Sequence, residues 1–385
     1  MKIKRILTPP KQDSFFLLGP RGTGKSTWLR DFYHFSTCTW FNLLDEALYQ
    51  ELLANPALFG GKLKTLADGT TVVIDEVQRL PNLLNEVHRF IEEKHLQFVL
   101  CGSSARKIKK IGTNLLAGRA LRKHMHPFIP EELGALFDFD QAMQFGTLPV
   151  ILGRENKREA LEAYVQTYLK EEIQAEALVR NLPGFARFLP VAALFHGQVI
   201  NVSSLGRDAG VSASTVAGYI EILEDTLMAF RLPAFEGRLR VREKKHPKLY
   251  WIDPGVVRAL KRTFSKPAPE ELGHLFEGWV ASVLAAYRDY RRTFDQWYYW
   301  APAEANETEV DFLLESEGRF VAIEVKAAIR FSKNLCKGLE AIQSLKGIKR
   351  RILVYRGEMQ LRTDSGIEVM PFGDFLNFLS QGDIF

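Results

Sequence analysis

The sequence predicts an α/β protein of two or three domains, the first of which is built on a doubly wound parallel sheet. Short apolar, β-prone runs at 15–18, 37–44, 70–74 and 97–101 alternate with helix-like stretches, a pattern typical of parallel strands with crossover helices. A glycine-rich loop directly follows the first run. The length of 385 residues exceeds what one hydrophobic core usually organises, so further domains are expected after the first.

The composition excludes several other classes of protein. It is 46% hydrophobic and 25% charged, which is ordinary for a soluble globular protein. The three cysteines are few, odd in number and far apart, which argues against a disulfide framework and for a cytoplasmic protein. No apolar stretch has the length of a signal peptide core or a membrane span, so no membrane partner is expected. The net charge of +5 allows nucleic-acid contact without requiring it.

The glycine-rich loop has the pattern G-x-x-x-x-G-K-[ST] of a phosphate-binding loop, between a strand and the start of a helix. Its glycines let backbone N–H groups face phosphates, and the helix adds the positive end of its dipole. Lys25 is expected to reach the β and γ phosphates, and Ser26 to hold Mg²⁺ through its hydroxyl. A plain glycine turn is the alternative. The predicted ATP-binding residues are Gly19, Pro20, Arg21, Gly22, Thr23, Gly24, Lys25, Ser26 and Thr27.

The run at 72–76 has the form of a Walker B element, a buried strand that carries an acidic pair at its carboxyl end. Asp75 is predicted to bind Mg²⁺ through its solvation shell, and Glu76 to orient or deprotonate the attacking water. An apolar run that ends in Asp-Glu is often only a strand that meets a solvated turn. Its position downstream of the phosphate-binding loop favours the catalytic interpretation.

The next strand runs into Gly102, Ser103 and Ser104, where a γ-phosphate sensor would lie. Ser103 or Ser104 would hydrogen-bond the phosphate or the lytic water. A Gly-Ser-Ser turn is equally typical of plain loop chemistry, so both interpretations stay open.

These motifs together resemble the bacterial and archaeal ATPases of the AAA-type class. The resemblance implies a doubly wound sheet, ATP and Mg²⁺ as cofactors, and a homo-oligomer in which an arginine of one subunit completes the neighbour's site. On this basis Arg119, with Arg122 in reserve, is predicted to be an arginine finger or sensor; a solvated charge is the alternative. The segments that carry the resemblance are 19–26, 74–78, 102–104, 116–120 and 126–128.

The middle of the chain predicts a helix-turn-helix. A short helix, a turn that contains glycine, and a second helix capped by Ser212 or Ser214 lie within 201–223. Such winged-helix-like segments bind DNA or serve as linkers, and the absence of Lys and Arg between Gly210 and Phe230 argues against deep insertion in a major groove. The basic run from Arg238 to Lys248 is the better candidate for phosphate contact, with a solvated loop as the alternative.

The last part of the chain places acidic residues on two neighbouring strands. The strands, 309–314 and 320–326, are predicted to form a hairpin, with Asp311 on the first and with Glu324 and Lys326 on one face of the second. This set resembles the PD-(D/E)-x-K nuclease core. Asp311, Glu324 and the helical Glu277 would ligate Mg²⁺, and Lys326 would position or activate water. Val310 stands where that core commonly has proline. A surface ion pair of Glu324 and Lys326, with Asp311 as a strand-start cap, is the alternative.

The predicted domains are an AAA-type ATP-binding core at 1–130, a helical lid or connector at 131–185, a winged-helix-like segment at 186–247 and a restriction-endonuclease-like α/β domain at 248–385. The function predicted first is an oligomeric ATPase that acts on or with nucleic acid, with DNA as a partner that it cuts. A regulatory or signalling ATPase with a catalytically silent C-terminal module is the second. A protein-remodelling ATPase is the third.

Overall fold

The computed structural model describes residues 3–103, 116, 118–168, 173, 179, 181–237, 245–302, 308–382 and 384–385. Its residues form two compact units. The first contains Met1–Pro127 with Ile222–Met228, and the second contains Phe128–Glu221 with Ala229–Phe385. The four predicted domain boundaries stay predictions.

The first unit contains a five-stranded sheet of order β2-β3-β4-β1-β5, in which every neighbouring pair is parallel. This confirms the predicted parallel sheet. The inner strands are apolar and buried, as expected for a sheet covered on both faces. The strands are β1 Ser14–Leu18, β2 Thr39–Asn42, β3 Thr71–Asp75, β4 Gln97–Gly102 and β5 Ala120–His124, and the helices are α1 Lys25–Phe32, α2 Glu46–Ala54, α3 Ala57–Lys64 and α4 Leu84–Lys94.

The second unit begins with helices and a small antiparallel sheet of order β6-β8-β7. Both helices of the predicted helix-turn-helix are present, and Asn201 and Ser212 accept backbone N–H groups at their starts. The winged-helix assignment stays a prediction, since 238–244 lie outside the described residues. The helices are α5 Pro130–Leu133, α6 Phe139–Phe145, α7 Pro149–Leu152, α8 Lys157–Thr167, α9 Leu182–Leu194, α10 Val202–Ala209 and α11 Ala213–Asp225, and the strands are β6 Gln198–Val199, β7 Ala229–Leu232 and β8 Lys248–Trp251.

The second unit continues into a mixed six-stranded sheet of order β13-β14-β12-β11-β10-β9. Strands β10 and β11 form the predicted antiparallel hairpin, and β11, β12 and β14 are parallel. The strands are β9 Gln296–Trp300, β10 Val310–Ser316, β11 Arg319–Lys326, β12 Ile348–Tyr355, β13 Leu361–Arg362 and β14 Glu368–Pro371, and the helices are α12 Pro254–Leu260, α13 Pro269–Arg291, α14 Lys337–Ala341 and α15 Phe372–Gln381.

Short 3-10 turns join several of these elements, at Val77–Arg79, Pro81–Leu83, Gly134–Leu136, Lys333–Cys336 and Ile342–Ser344. Within the part of the chain that the structure describes, no helix combines the length and apolar character needed to cross a membrane.

A buried histidine joins β8 to α13 inside the second unit. The backbone N–H of Trp251 donates to His196 Nδ1 at 3.1 Å. A Cβ at position 278 would lie 1.9 Å from His196 Nε2, so the imidazole requires glycine there. Because Nδ1 must accept a hydrogen bond, the imidazole is neutral, and burial lowers the pKa of His196 to about 3.

We expect this histidine to make the second unit sensitive to acid. Its folded-state pKa of about 3 lies below the ordinary 6.5, so the unfolded chain binds the extra proton, and stability falls as the pH drops through that window. The variant His196→Gln, whose amide oxygen can accept the Trp251 N–H without titrating, should lose stability less steeply. Urea unfolding at a series of pH values measures this, with the exposed His34→Gln as control. Equal slopes for wild type and His196→Gln would contradict it.

Candidate functional site

The phosphate-binding loop lies between β1 and α1. Gly22 and Gly24 have φ of 81° and 86°, a left-handed conformation that glycine adopts without strain. A Cβ at Gly19 would lie 2.5 Å from the carbonyl oxygen of Met125. Helix α1 starts at Lys25, and no side chain hydrogen-bonds its N-terminus in the described structure. The backbone therefore takes the shape of an anion cradle at a helix start.

Lys25 is buried against the loop that it follows. Its Nζ donates to the carbonyl oxygens of Gly19 at 2.7 Å and Pro20 at 3.0 Å. Thr23 is fully buried, and its hydroxyl donates to the Pro20 carbonyl at 2.8 Å. Ser26 is partly buried, whereas Arg21 and Thr27 are exposed. Both of these acceptors of the Lys25 ammonium are neutral carbonyls, which a phosphate oxygen can replace.

The acidic pair lies at the carboxyl end of β3. Asp75 is 3% exposed, and its Oδ1 accepts the N–H of Glu76 at 3.1 Å. Glu76 has a φ of 59°, a left-handed conformation that costs a non-glycine residue about 1 kcal/mol or more. Cys101 of β4 lies next to Asp75 of β3. Burial and the Asp75 charge raise the pKa of its thiol.

Ser103 lies at the end of β4, the strand between β1 and β3. Gln78, which is 1% exposed, donates through Nε2 to Ser103 Oγ at 3.2 Å and also to Glu76 Oε2. The structure therefore brings Ser103 and Glu76 together through the Gln78 side-chain amide, which the sequence motifs did not single out. The one sequence feature that pointed to Gln78 is its position two residues after the acidic pair. Ser104 lies outside the described residues.

Arg119 pairs with Glu92 of α4, and both side chains are substantially exposed. The guanidinium lowers the pKa of Glu92. Arg122 is exposed on the edge strand β5. Nothing in the described structure assigns either arginine to a second subunit, so the arginine finger stays a prediction.

A second cluster of charged residues is centred on Lys248 in the second unit. Its Nζ donates to Glu277 Oε1 at 2.8 Å, Asp311 Oδ1 at 3.1 Å and Glu309 Oε1 at 3.3 Å. The hydroxyl of Tyr250 donates to the same Glu277 oxygen at 2.5 Å, and the N–H of Val325 donates to Asp311 Oδ2 at 2.9 Å. We call Lys248, Glu277, Glu309 and Asp311 the Lys248 cluster.

Burial and charge set the protonation of the Lys248 cluster. Burial raises the pKa of Glu277 to about 7, with help from the Asp311 charge and against that of Lys248. Burial alone would raise the pKa of Asp311, but the ammonium groups of Lys248 and Lys326 outweigh it and lower that pKa. Burial alone would lower the pKa of Lys248, and the carboxylates, Glu277 foremost, raise it well above its ordinary value. Lys248 and Asp311 therefore form a stable charged pair at neutral pH.

The other two residues predicted for the nuclease core pair with each other. Lys326 Nζ lies 2.5 Å from Glu324 Oε1, and one third of the Lys326 side chain is exposed. Glu324 is 3% exposed, and burial, followed by the Asp311 charge, raises its pKa well above the ordinary value. Its Oε2 has no hydrogen-bond partner among the described residues. The structure thus brings together the four residues predicted for the nuclease core, Glu277, Asp311, Glu324 and Lys326. It also places the Lys248 ammonium between Glu277 and Asp311.

The Lys248 cluster does not fit Mg²⁺ as it stands. The oxygens of Glu277, Glu309 and Asp311 lie within 4.8 Å of one another, close enough to surround one ion, but the Lys248 ammonium is bound to all three at hydrogen-bond distances of 2.8–3.3 Å. Mg²⁺ requires oxygens at about 2.1 Å. The three carboxylate oxygens match the three N–H bonds of the ammonium, so Lys248 already satisfies these acceptors and offsets part of their negative charge.

The prediction that the basic run at 238–248 contacts nucleic-acid phosphates is wrong for Lys248. This side chain is 1% exposed and faces carboxylates. It points inward because β8 is the central strand of its sheet and all four of its residues are buried. Lys245 and His246 are exposed, and Arg238, Arg240, Arg242 and Lys244 lie outside the described residues.

Comparisons with known proteins agree with the AAA-type prediction for the first part of the chain. Residues 11–134 match the family described as an AAA domain, residues 136–267 a domain of unknown function (DUF8612), and residues 272–375 another (DUF4143). Uncharacterized proteins of Mycobacterium tuberculosis and Methanocaldococcus jannaschii are 24% and 22% identical, with 94% and 97% of this chain and 80% and 87% of theirs covered.

Two solved structures are similar at a lower level. The Aeropyrum pernix ORC1 protein in complex with DNA has a TM-score of 0.31 and 13% identity, over 66% of this chain and 87% of its own. Protein VC1899 of Vibrio cholerae has a TM-score of 0.24 and 14% identity, over 95% and 96%. Neither likeness is close enough to carry an argument. The family match at 11–134 confirms the AAA-type part of the resemblance, and the winged-helix and nuclease-like parts stay predictions.

We expect the Lys248 cluster to stabilise the second unit, because breaking a buried ion pair leaves an uncompensated charge. Asp311→Asn should lower the free energy of unfolding by about 3–5 kcal/mol. The control Glu309→Gln, whose side chain is 33% exposed, should cost less than about 1 kcal/mol. Urea unfolding at neutral pH measures both, and equal losses would contradict the assignment.

Proposed function

We propose that this chain hydrolyses ATP at the carboxyl edge of the five-stranded sheet. The single observation that carries the proposal is the meeting of three strand ends within the AAA domain. Strand β1 leads into the phosphate-binding loop with Lys25, β3 ends in Asp75 and Glu76, and β4, between them, ends next to Ser103. Ligands of open α/β sheets bind at this edge.

Each side chain has a role that suits its position. The loop N–H groups and Lys25 would hold the phosphates once the ammonium leaves the carbonyls of Gly19 and Pro20. Ser26 and Asp75 offer the hard oxygen ligands that suit Mg²⁺. When bound, that ion neutralises charge that develops on the phosphates. Glu76 would accept a proton from the attacking water.

Gln78 would position Glu76 relative to Ser103. Its amide nitrogen contacts both side chains, so it keeps the base near the residue predicted to sense the γ-phosphate. An amide donor bound to the Glu76 carboxylate also weakens it as a base. Release of this contact when ATP arrives would therefore activate Glu76.

Oligomerisation and the arginine finger belong to the same proposal. Arg119 is half-exposed and pairs with an exposed glutamate. Such a pair is worth little energy, so the guanidinium is free to leave it for the phosphates of a neighbouring subunit. Arg122 is the reserve for this role.

The role of the C-terminal half has two forms. In the first, this half binds nucleic acid and cuts DNA through Asp311, Glu324 and Lys326. In the second, it is a catalytically silent interaction module of a regulatory ATPase. The engagement of Asp311 and Glu277 by Lys248 favours the second form.

Two substitutions test the ATPase proposal. Lys25→Ala should abolish ATP binding, whereas Glu76→Gln should still bind ATP and hydrolyse it about 10²–10⁴-fold more slowly, the usual contribution of a general base. Nucleotide titration and phosphate release measure the two effects. Lys62→Ala and Glu93→Gln, which change surface charges of the same domain, are the controls. Hydrolysis at the wild-type rate in Lys25→Ala or Glu76→Gln would refute the proposal.

A cleavage assay separates the two forms of the C-terminal role. With Mg²⁺ or Mn²⁺ and single-stranded, duplex or branched DNA, the silent form predicts no cleavage by the wild type. Cleavage that is lost in both Glu324→Ala and Lys326→Ala would establish the nuclease form instead. DNA binding without cleavage, weakened steeply by salt, would indicate phosphate contacts by a non-cutting module.

A further inference from the structure

We propose that Lys248 is the built-in cation of this carboxylate cluster, which takes the place that a divalent metal ion would otherwise have and keeps metal out. The proposal concerns the second unit alone and does not depend on ATP hydrolysis.

The first argument is coordination. The ammonium has three N–H bonds, and three carboxylate oxygens accept them from Glu277, Asp311 and Glu309. The remaining Asp311 oxygen accepts the Val325 N–H, and the Glu277 oxygen also accepts the Tyr250 hydroxyl. A metal ion that used the bonded oxygens of Glu277 and Asp311 as ligands would have to displace the ammonium from them.

The second argument is placement. Lys248 and Glu277 are 1% and 7% exposed, so neither can swing into water without opening the unit. Lys248 is on β8, Glu277 on α13 and Asp311 on β10, so the ammonium joins the three-stranded sheet, the long helix and the six-stranded sheet. With a cation supplied by the chain, the packing of these three elements does not depend on a bound metal ion, whereas with a metal ion it would depend on the metal concentration.

The third argument is that Lys248, and not the neighbouring Lys326, pairs with the buried carboxylates of Glu277 and Asp311. Lys326 also lies near Asp311, but it pairs with Glu324 and keeps a third of its side chain in solvent. Lys248 therefore lies at the buried centre of this group of charges, and Lys326 lies at its solvent-exposed edge, which we call the rim. Removal of Lys248 alone should leave three carboxylates around a space, which is the donor set that hard divalent cations prefer.

Mn²⁺ binding to the full chain without nucleotide tests the proposal. Electron paramagnetic resonance counts bound Mn²⁺, and Asp75→Asn identifies any ion held by the first unit. We expect the wild type and Glu277→Gln to bind Mn²⁺ equally. We expect Lys248→Ala to gain one Mn²⁺ equivalent that the wild type lacks, and Lys248→Ala/Asp311→Asn to lose it. The matched control Lys326→Ala should gain none.

Two outcomes would overturn the proposal. One is Mn²⁺ bound by the wild type and lost in Glu277→Gln, since the cluster would then hold metal with Lys248 in place. The other is a folded Lys248→Ala, shown by circular dichroism, that gains no Mn²⁺. If Lys248→Ala does not fold, the comparison of wild type with Glu277→Gln decides alone: equal binding supports the proposal and unequal binding refutes it.

Discussion

The buried ammonium of Lys248 is the interaction on which the second unit depends. Transfer of an ammonium from water to a protein interior costs several kcal/mol unless partners compensate it. Here three carboxylates do so, from a helix, a strand and the segment just before that strand. Two of those acids, Glu277 and Asp311, are buried and are in turn costly to bury without the ammonium. The charges therefore fix the relative positions of β8, α13 and β10 more narrowly than apolar packing alone, because hydrogen-bond lengths tolerate less displacement than apolar contacts do.

A second lysine, Lys25, is also buried, but its hydrogen-bond acceptors are neutral rather than negatively charged. Lys25 contacts two neutral carbonyl oxygens, and Lys248 contacts three carboxylates. A phosphate outcompetes a carbonyl for an ammonium because the bond becomes charge-assisted. No such gain is available at Lys248, whose partners are already anionic. In the functions proposed here, one residue type thus serves as an exchangeable ligand contact in the first unit and as a fixed structural cation in the second.

Local patterns predicted the parallel sheet of the first unit, because its strands are short apolar runs and its candidate site residues lie in short motifs at their ends. The Lys248 cluster escaped prediction because its partners lie 29, 61 and 63 residues further along the chain. Lys248 also ends a basic run, which favoured a surface position. Nothing in a β-strand pattern distinguishes a lysine that faces carboxylates from one that faces water. Gln78 was overlooked for a related reason: an amide has no charge to mark it, and only the fold brings it against both Glu76 and Ser103.

The placement of charge also limits what the C-terminal half can do. A metal-dependent nuclease needs acidic groups free to bind an ion and a lysine near the scissile phosphate. Here Asp311 and Glu277 are bound internally, while Lys326, one third exposed, reaches solvent from its pair with the buried Glu324. A phosphate that approached this rim would meet a cation but no metal-activated water. In the silent form proposed above, binding of an anionic partner would survive such an arrangement and hydrolysis would not, so loss of cleavage need not entail loss of nucleic-acid contact.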